Sequence, residues 1–386
     1  MNRKSDKERD KILVYNTSFF DVSQTFIYHQ VKALAENHDI YLLASKFINP
    51  HDFAAVHTKQ HEIHKLNGLT GRIANKYFNT KLFSAESYVK LKKLFQKNKF
   101  KAIHAHFGTK ALEILPLAKW YRIPLVVSFH GADASRMMKH EDYVKKLPSL
   151  FEYASAIIIS SMHMAENLNL EKWMDKVHFI PYGVNPEKFE FSLIKNGLYR
   201  PESIKILHSG RLTGKKGVPD LIKVFHELDE KYNNLELHLV GDGEELDECK
   251  SLVQKYGLEK KVWFYGAVPH EMVITKLKEA DIFVLNSRVD QDGDMEGTPV
   301  TLLEAMSMGK AVVSTKHAGI PYVIEHEKNG FLARERSNSE LKECIDKLIA
   351  NKNLRQDLGH KARETIEHAY TFNIMEEKIK NVFREI

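Results

Sequence analysis

Short runs of consecutive apolar residues alternate with helix-patterned stretches along almost the whole chain, and this alternation limits the architecture more than any other feature. The runs are KILVY at 11–15, IYLLA at 40–44, AIHAH at 102–106, PLVVSF at 124–129, SAIIIS at 155–160 and VHFIP at 177–181. They continue with IKILHSG at 204–210, LELHLVG at 235–241, VWFYG at 262–266, DIFVLNS at 281–287 and AVVST at 311–315. Their apolarity is continuous, as in strands covered on both faces, so the pattern predicts an α/β chain with parallel sheets. Between them, PDLIKVFHEL places Leu221, Val224, Phe225 and Leu228 on one helical face. Pro219 suits the first helical position, where its missing N–H would be unbonded anyway. A length of 386 residues fits about two domains. The polar, turn-rich stretch 184–200 predicts a boundary, with a first domain over 1–190 and a second over 200–368.

A composition of 43% hydrophobic and 28% charged residues excludes disordered and collagen-like chains. The two cysteines, Cys249 and Cys344, make neither a disulfide framework nor a metal motif, which points to a reducing compartment. No run reaches the roughly 18–20 apolar residues of a membrane span, and MNRKSDKERDK lacks a signal peptide's apolar core. The expectation is a cytoplasmic protein, able to sit peripherally on the inner face of the cell membrane. The net charge of +6 is uneven: residues 1–200 carry a surplus of eleven positive charges, all of it matched by residues 51–150, and the remainder is acidic by five. Such a segment attracts phosphates of nucleic acid, anionic lipid or a phosphorylated acceptor, or is simply a solvated lysine-rich face. No nucleic-acid module accompanies it, so no nucleic-acid partner is expected.

Three segments carry candidate chemistry, each at the carboxyl end of a strand, where open α/β sheets bind ligands. In HSGRLTGKKGVPDLI, Gly210, Gly214 and Gly217 let the backbone turn tightly, and Arg211 and Lys216 suit a diphosphate. The order of a P-loop is absent, and a glycine turn with solvated basic residues explains the spacing equally well. LVGDGEEL offers Gly241 and Gly243, but Leu246 stands where a dinucleotide fingerprint needs its third glycine, which disfavours a dehydrogenase. In NSRVDQDGDMEGTPVTLLEAMSMGKAVVST, a polar loop leads to a helix with Thr298 as N-cap, Pro299 as first residue and an end at Gly309. Val300, Leu303 and Met306 are expected to face the core. Glu296 and Glu304 bracket the helix start, either as a glycosidase-like acid/base pair or as acceptors for sugar and ribose hydroxyls.

In the first half, FHGADAS puts His130 at the end of a strand with Asp133 three residues on. His104 and His106 share one strand face; without a third ligand nearby, packing is the better reading than metal binding.

Together SGRLTGKKG, LVGDGEEL, FYGAVP and EGTPVTLLEAMSMGKAVVST resemble the family 4 retaining glycosyltransferases of the GT-B fold, in particular bacterial colanic-acid and exopolysaccharide enzymes. The likeness is strong over about 200–335 and looser through SQTFIYHQV, IHAHFG, SFHGAD and PYGVNPEKF. It implies two Rossmann-like domains with an interdomain cleft, and a last helix, about 370–386, crossing back to the first domain. It also implies a UDP- or GDP-sugar donor, and a saccharide or lipid-diphosphate-linked acceptor bound by the first domain. By the same resemblance Arg211 and Lys216 grip the diphosphate, and Glu304 takes the ribose. Glu296 with Gly297, Thr298, Pro299 and Val300 holds the donor sugar, Val268 faces the base, and Gly210 and Gly241 line the nucleotide. His130, with Asp133 nearby, would reach the donor sugar. No metal or cofactor is expected, the DQDGD run at 290–294 notwithstanding. One departure is the loop after the first strand, where NTSFFDVSQTF replaces the glycine-rich sequence of many members. The alternatives are a sugar-nucleotide epimerase of the same fold and a non-catalytic basic surface-binding protein.

Overall fold

The computed structural model describes residues 9–19, 25–48, 56, 58–65, 83–189 and 203–386. Two compact units emerge: one comprises Met1–Ser160, Met164–Ile180 and Met375–Ile386, the other Ser161–His163 and Pro181–Ile374. The division falls at 180/181, ahead of the expected 190. The segment PYGVNPEKF is bound into the second unit: the Val184 N–H donates to the Tyr370 carbonyl at 2.9 Å and Arg363 donates to the Phe189 carbonyl at 2.9 Å. The last helix, Phe372–Glu385, starts in the second unit and belongs to the first from Met375 onward.

The first unit's sheet contains β1 (Lys11–Tyr15), β3 (Asp39–Ala44), β5 (Thr58–Glu62), β6 (Phe100–His106), β7 (Leu125–Phe129), β8 (Ala156–Ile159) and β9 (Val177–Phe179). Its order is β5-β3-β1-β6-β7-β8-β9, and every pairing is parallel. A separate two-strand pair joins β2 (Ser18–Phe19) to β4 (Lys46–Phe47). The second unit holds β10 (Ile204–Ser209), β11 (Leu235–Val240), β12 (Val262–Gly266), β13 (Ile282–Val284), β14 (Ala311–Thr315) and β15 (Phe331–Ala333). Their order is β12-β11-β10-β13-β14-β15, again all parallel. In each sheet the chain first builds outward on one side and then reverses, so a crevice opens at the carboxyl ends of β1/β6 and of β10/β13.

Buried strands need apolar cover on both faces, and the helices supply it. In Val218–Asp229 the predicted residues Leu221, Val224, Phe225 and Leu228 are all buried, packed with Leu237 and Ile282 of the sheet. That helix starts one residue before Pro219, because Gly217 caps it in a left-handed conformation, φ 58°. A side chain there would press on the Asn286 carbonyl, 2.6 Å from an added Cβ. The helix after the acidic loop runs Val300–Ser307, one residue later than expected: Pro299 is its cap and Thr298 lies ahead of it. Leu302 to Ser307 are all buried, so this helix has no solvent face, while Val300 is only half-buried. Among the described residues no helix is long and apolar enough to cross a membrane.

Candidate active site

At the carboxyl end of β10 the backbone passes through Gly210 into the loop carrying Arg211 and Lys216. Gly241, at the end of the neighbouring β11, has φ 130°, and a Cβ there would sit 1.9 Å from the Gly210 carbonyl oxygen. The two turns therefore touch through bare backbone, which only glycine permits. A Cβ on Gly210 would stand 3.4 Å from Lys216 Cε and 3.6 Å from His208 Nε2, so Lys216 folds back beneath the turn. Its ammonium meets Glu296 Oε1 at 2.7 Å, with both side chains about nine-tenths buried. Burial alone would raise the Glu296 carboxyl's pKa, but Lys216 and Lys215 outweigh it and hold the group at about 2. Arg211 differs: it is exposed, and its guanidinium has no ion pair or side-chain hydrogen bond among the described residues. One cation is thus committed to a carboxylate and the other is available.

The loop carrying the lysines is clamped from beneath. Arg288 donates from Nε to the Gly214 carbonyl at 2.7 Å, pairs with Asp220, and donates its own N–H to the Lys215 carbonyl at 2.9 Å. Lys215 pairs with Asp294 at 3.0 Å, so part of the DQDGD run anchors this loop. Among the described residues no cluster of three or more His, Cys, Asp and Glu is arranged to hold a metal.

Glu296 is positioned through its backbone. Its N–H donates to His317 Nε2 at 3.1 Å, and His317 Nδ1 lies 2.7 Å from Glu335 Oε1. An Nε2 that accepts leaves the proton on Nδ1, and that N–H donates to Glu335. Gly319 keeps the next residues close: a Cβ there would lie 2.1 Å from the Gly297 carbonyl oxygen. Gly297, Thr298 and Pro299 are buried behind Glu296. Farther along the helix, Glu304 is buried, and its Oε1 meets His270 Nε2 at 2.7 Å. That bond raises the His270 pKa. His270 follows Val268 by two residues, so the half-buried FYGAVP turn and Glu304 meet through it.

The second unit therefore gathers Gly210, Arg211, Lys216, Gly241 and Glu296–Val300 around one strand end, with Glu304 and the Val268 turn linked by His270. His208, His270, Arg288, His317 and Glu335 were not singled out by sequence. Three of them had a signal: His208 and Arg288 lie inside the strand-end segments HSGRLTGKKG and NSRVDQDGD, and His317 lies just past the end of β14.

In the first unit His130 and Asp133 share a turn after β7. Asp133 is buried and accepts from the N–H groups of His130 at 2.9 Å, Gly131 at 3.1 Å and Gly108 at 2.9 Å. Burial raises its pKa against the opposing pull of those backbone N–H groups. Its carboxylate thus holds the turn, and His130 is the group that the turn presents. His130 lies between the rings of Phe26 and Phe107, each 4.8 Å away centre to centre, and burial pushes its pKa down to about 3.

The family described as "Glycosyltransferase Family 4" matches residues 23–188, and "Glycosyl transferases group 1" matches residues 191–365. The amylovoran biosynthesis glycosyltransferase AmsK of Erwinia amylovora is 37% identical over 211 residues, which are 54% of this chain and 51% of that protein. The putative colanic acid biosynthesis glycosyltransferase WcaL of Escherichia coli is 29% identical over 290 residues, 73% of this chain and 70% of that one. This chain thus spans about half of the first relative's length. HepE of Anabaena, solved with UDP and glucose, superposes with TM-score 0.79 at 18% identity, covering 98% of this chain and 100% of its own. Sucrose-phosphate synthase of Thermosynechococcus elongatus gives 0.76 at 17% identity, covering 98% and 99%. The two parallel sheets have the GT-B layout, and the chain belongs to family 4 of the glycosyltransferases.

Proposed function

We propose that this protein transfers a hexosyl group from a nucleotide-diphosphate sugar to a saccharide or lipid-linked saccharide, with retention at the anomeric carbon, in the building of a surface polysaccharide. The observation that carries this reading is the uncommitted guanidinium of Arg211 next to the buried Lys216–Glu296 pair, at the reversal point of the second sheet. When the glycosyl–oxygen bond breaks, its electron pair goes to the departing diphosphate. A preorganised cation beside that oxygen lowers the barrier because the charge grows only in the transition state. Arg211 offers a bidentate fork for the diphosphate, and Lys216 keeps the local potential positive while fixing Glu296 toward the sugar. Glu304, aligned by His270, takes the ribose hydroxyls, and Val268 borders the base. His130 meets the donor sugar, as the resemblance implies. These groups supply the positive potential without a metal or cofactor. The names of AmsK and WcaL support an exopolysaccharide product, and HepE, a structural neighbour solved with UDP-glucose, makes UDP-sugars the first donors to try.

The decisive experiment measures thermal shifts with UDP- and GDP-sugars, since a ligand at 100 times its Kd stabilises by about 2.7 kcal/mol. Release of the nucleotide is then assayed with and without a lipid-linked saccharide. Acceptor-dependent release supports transfer; an epimerised sugar formed without acceptor would replace this reading with the epimerase. The basic surplus of residues 51–150 favours work at the cytoplasmic face of an anionic membrane. Equal sedimentation with neutral and anionic vesicles at low salt would remove that part of the proposal.

A further inference from the structure

Lys65, Lys110, Glu113 and Tyr15 meet where strands of the first sheet reach their carboxyl ends. Tyr15 is the last residue of β1, and Lys65 follows β5 by three residues. Lys110 and Glu113 lie one turn apart at the start of the helix Gly108–Tyr121, which follows β6. Both ammoniums sit against the same carboxylate oxygen: Lys65 Nζ donates to Glu113 Oε1 at 2.7 Å, and Lys110 Nζ donates to it at 2.9 Å. The other oxygen, Oε2, accepts from the Tyr15 hydroxyl at 2.7 Å. The side chains of Lys65, Lys110 and Glu113 are only 20%, 13% and 10% exposed. One lysine would neutralise the carboxylate; the second leaves the cluster with a positive charge, and no other acidic side chain pairs with either lysine among the described residues. Burial would raise the Glu113 pKa, but Lys110 and Lys65 outweigh it and keep the carboxyl below its usual range. Burial pulls the Lys65 ammonium down to about 8 against the attraction of Glu113, and Lys110 adds to the fall. Two cations pressed together in a largely dry place are costly unless a further anion joins them. An ammonium has three N–H donors, and each of these spends one on Glu113, so the groups left unspent are donors. The positive end of the helix Gly108–Tyr121 adds to the same potential.

We propose that Lys65 and Lys110, held side by side by Glu113, bind an anionic group of the acceptor through its carboxylate or phosphate oxygens, at the reversal point of the first sheet. This rests on the reading that the first unit binds the acceptor, and it names the class taken: an acidic saccharide, or one joined to its lipid through a diphosphate. Both lysines belong to the basic stretch 51–150, so part of that surplus serves a site. Glu113 is a positioning residue, fixing both ammoniums before the anion arrives, so little freedom is lost on binding. A compact ammonium suits either oxyanion. A neutral sugar in the same place would leave largely buried N–H groups unmatched, and that is the source of discrimination.

The test titrates the full-length chain by calorimetry with three probes: methyl glucuronoside, its neutral counterpart methyl glucoside, and geranyl diphosphate. An Arg211→Ala background removes the diphosphate grip of the second unit. In that parent at least one anion is expected to bind about tenfold or more tightly than the glucoside, a comparison that needs no further variant to fold. Preference for the glucuronoside names an acidic saccharide; preference for the diphosphate names the lipid carrier. Lys65→Met and Lys110→Met each leave Glu113 one cation and the Tyr15 hydroxyl, and each should weaken the anion at least about tenfold. Lys92→Met removes the same charge from an exposed position on the helix Ala85–Lys97 and should change binding by less than about twofold. No preference for either anion over the glucoside overturns the proposal, and so does anion binding undiminished in folded Lys65→Met and Lys110→Met. With Arg211 restored and a nucleotide sugar supplied, Lys65→Met should raise the KM of the anionic acceptor about tenfold and leave the donor KM unchanged. Failure of the glycosyltransferase reading looks different: wild type consumes no nucleotide sugar with any acceptor, while calorimetry still reads whether the lysine pair takes an anion.

Discussion

Arg211 and Lys216 bear the same charge in opposite settings, and their substitutions should part company accordingly. Arg211 is exposed and has no ion pair among the described residues, so Arg211→Ala should leave stability within about 0.5 kcal/mol of wild type. Its turnover should fall at least tenfold, up to the roughly 2.7–4 kcal/mol that a lost preorganised donor costs. Urea melts and nucleotide-release rates read the two effects separately. Lys216→Ala instead strands the buried carboxylate of Glu296, which should cost about 3–5 kcal/mol. Lys216→Ala with Glu296→Gln removes the stranded charge and should recover most of the stability but none of the activity. The sign with pH follows from Glu296, whose folded pKa of about 2 lies below its unfolded value. In wild type that contribution is present above the unfolded pKa and is lost as pH falls toward 2. In Lys216→Ala burial dominates and the folded pKa rises above the unfolded one. The stability deficit of the single variant should therefore shrink between pH 7 and about pH 4; a deficit that grows on acidification contradicts the assignment.

At the scale of elements, the contact between the β10 and β11 turns is a backbone-on-backbone fit. Gly241→Ala would place a Cβ 1.9 Å from the Gly210 carbonyl oxygen at φ 130°. The expected result is a loss of about 1–3 kcal/mol from backbone strain together with a displaced Arg211 and a weaker response to the donor. Gly257, with φ 65° and open space around its added Cβ, is the control: Gly257→Ala should cost about 1–2 kcal/mol and leave donor binding unchanged. Comparing donor-induced thermal shifts in the two variants separates strain from misplacement. The main strands, the face of helix Val218–Asp229 and the loops at the strand ends were legible because buried parallel strands leave uninterrupted apolar runs. Strands β5 and β15 were not. TKQHE at the sheet edge is half-exposed and polar, and FLA is too short to stand out from a loop. DIFVLNS forms only the three-residue β13 because the chain leaves the ladder early to bring Asn286 to the Gly217 carbonyl, 2.9 Å away. The partners that fix the site were hidden for another reason. His317 reaches Glu296 across 21 positions and Arg288 reaches Gly214 across 74, distances over which local pattern carries no information. Residues 20–24 of the loop after β1, including Ser23, lie outside the described residues.

For the whole molecule, the return of the chain's end to the first unit makes the stability of the two units separately addressable. Helix Phe372–Glu385 buries Met375, Ile379, Val382 and Phe383, and the ring of Phe383 lies 5.4 Å from that of His104, on the strand that also carries His106. The second unit has a core of its own, built from the helix Val218–Asp229, its sheet and the helix Asn338–Ala350. Phe383→Ala removes a fully buried aromatic side chain and should cost about 3–5 kcal/mol. That loss is a large share of a domain's roughly 5–15 kcal/mol. Since the contacts of Phe383 are with the first unit, hydrogen exchange should quicken in β6, β7 and their covering helices while β10, β11 and β13 keep wild-type protection. Donor-induced stabilisation should survive in the second unit's amides, because Arg211, Lys216, Glu296 and Glu304 all belong to it. Turnover should fall, since His130 depends on β6 and β7 for its place. Equal acceleration in both sheets would show instead that the units unfold as one cooperative body, and the nucleotide would then protect β6 as strongly as β10.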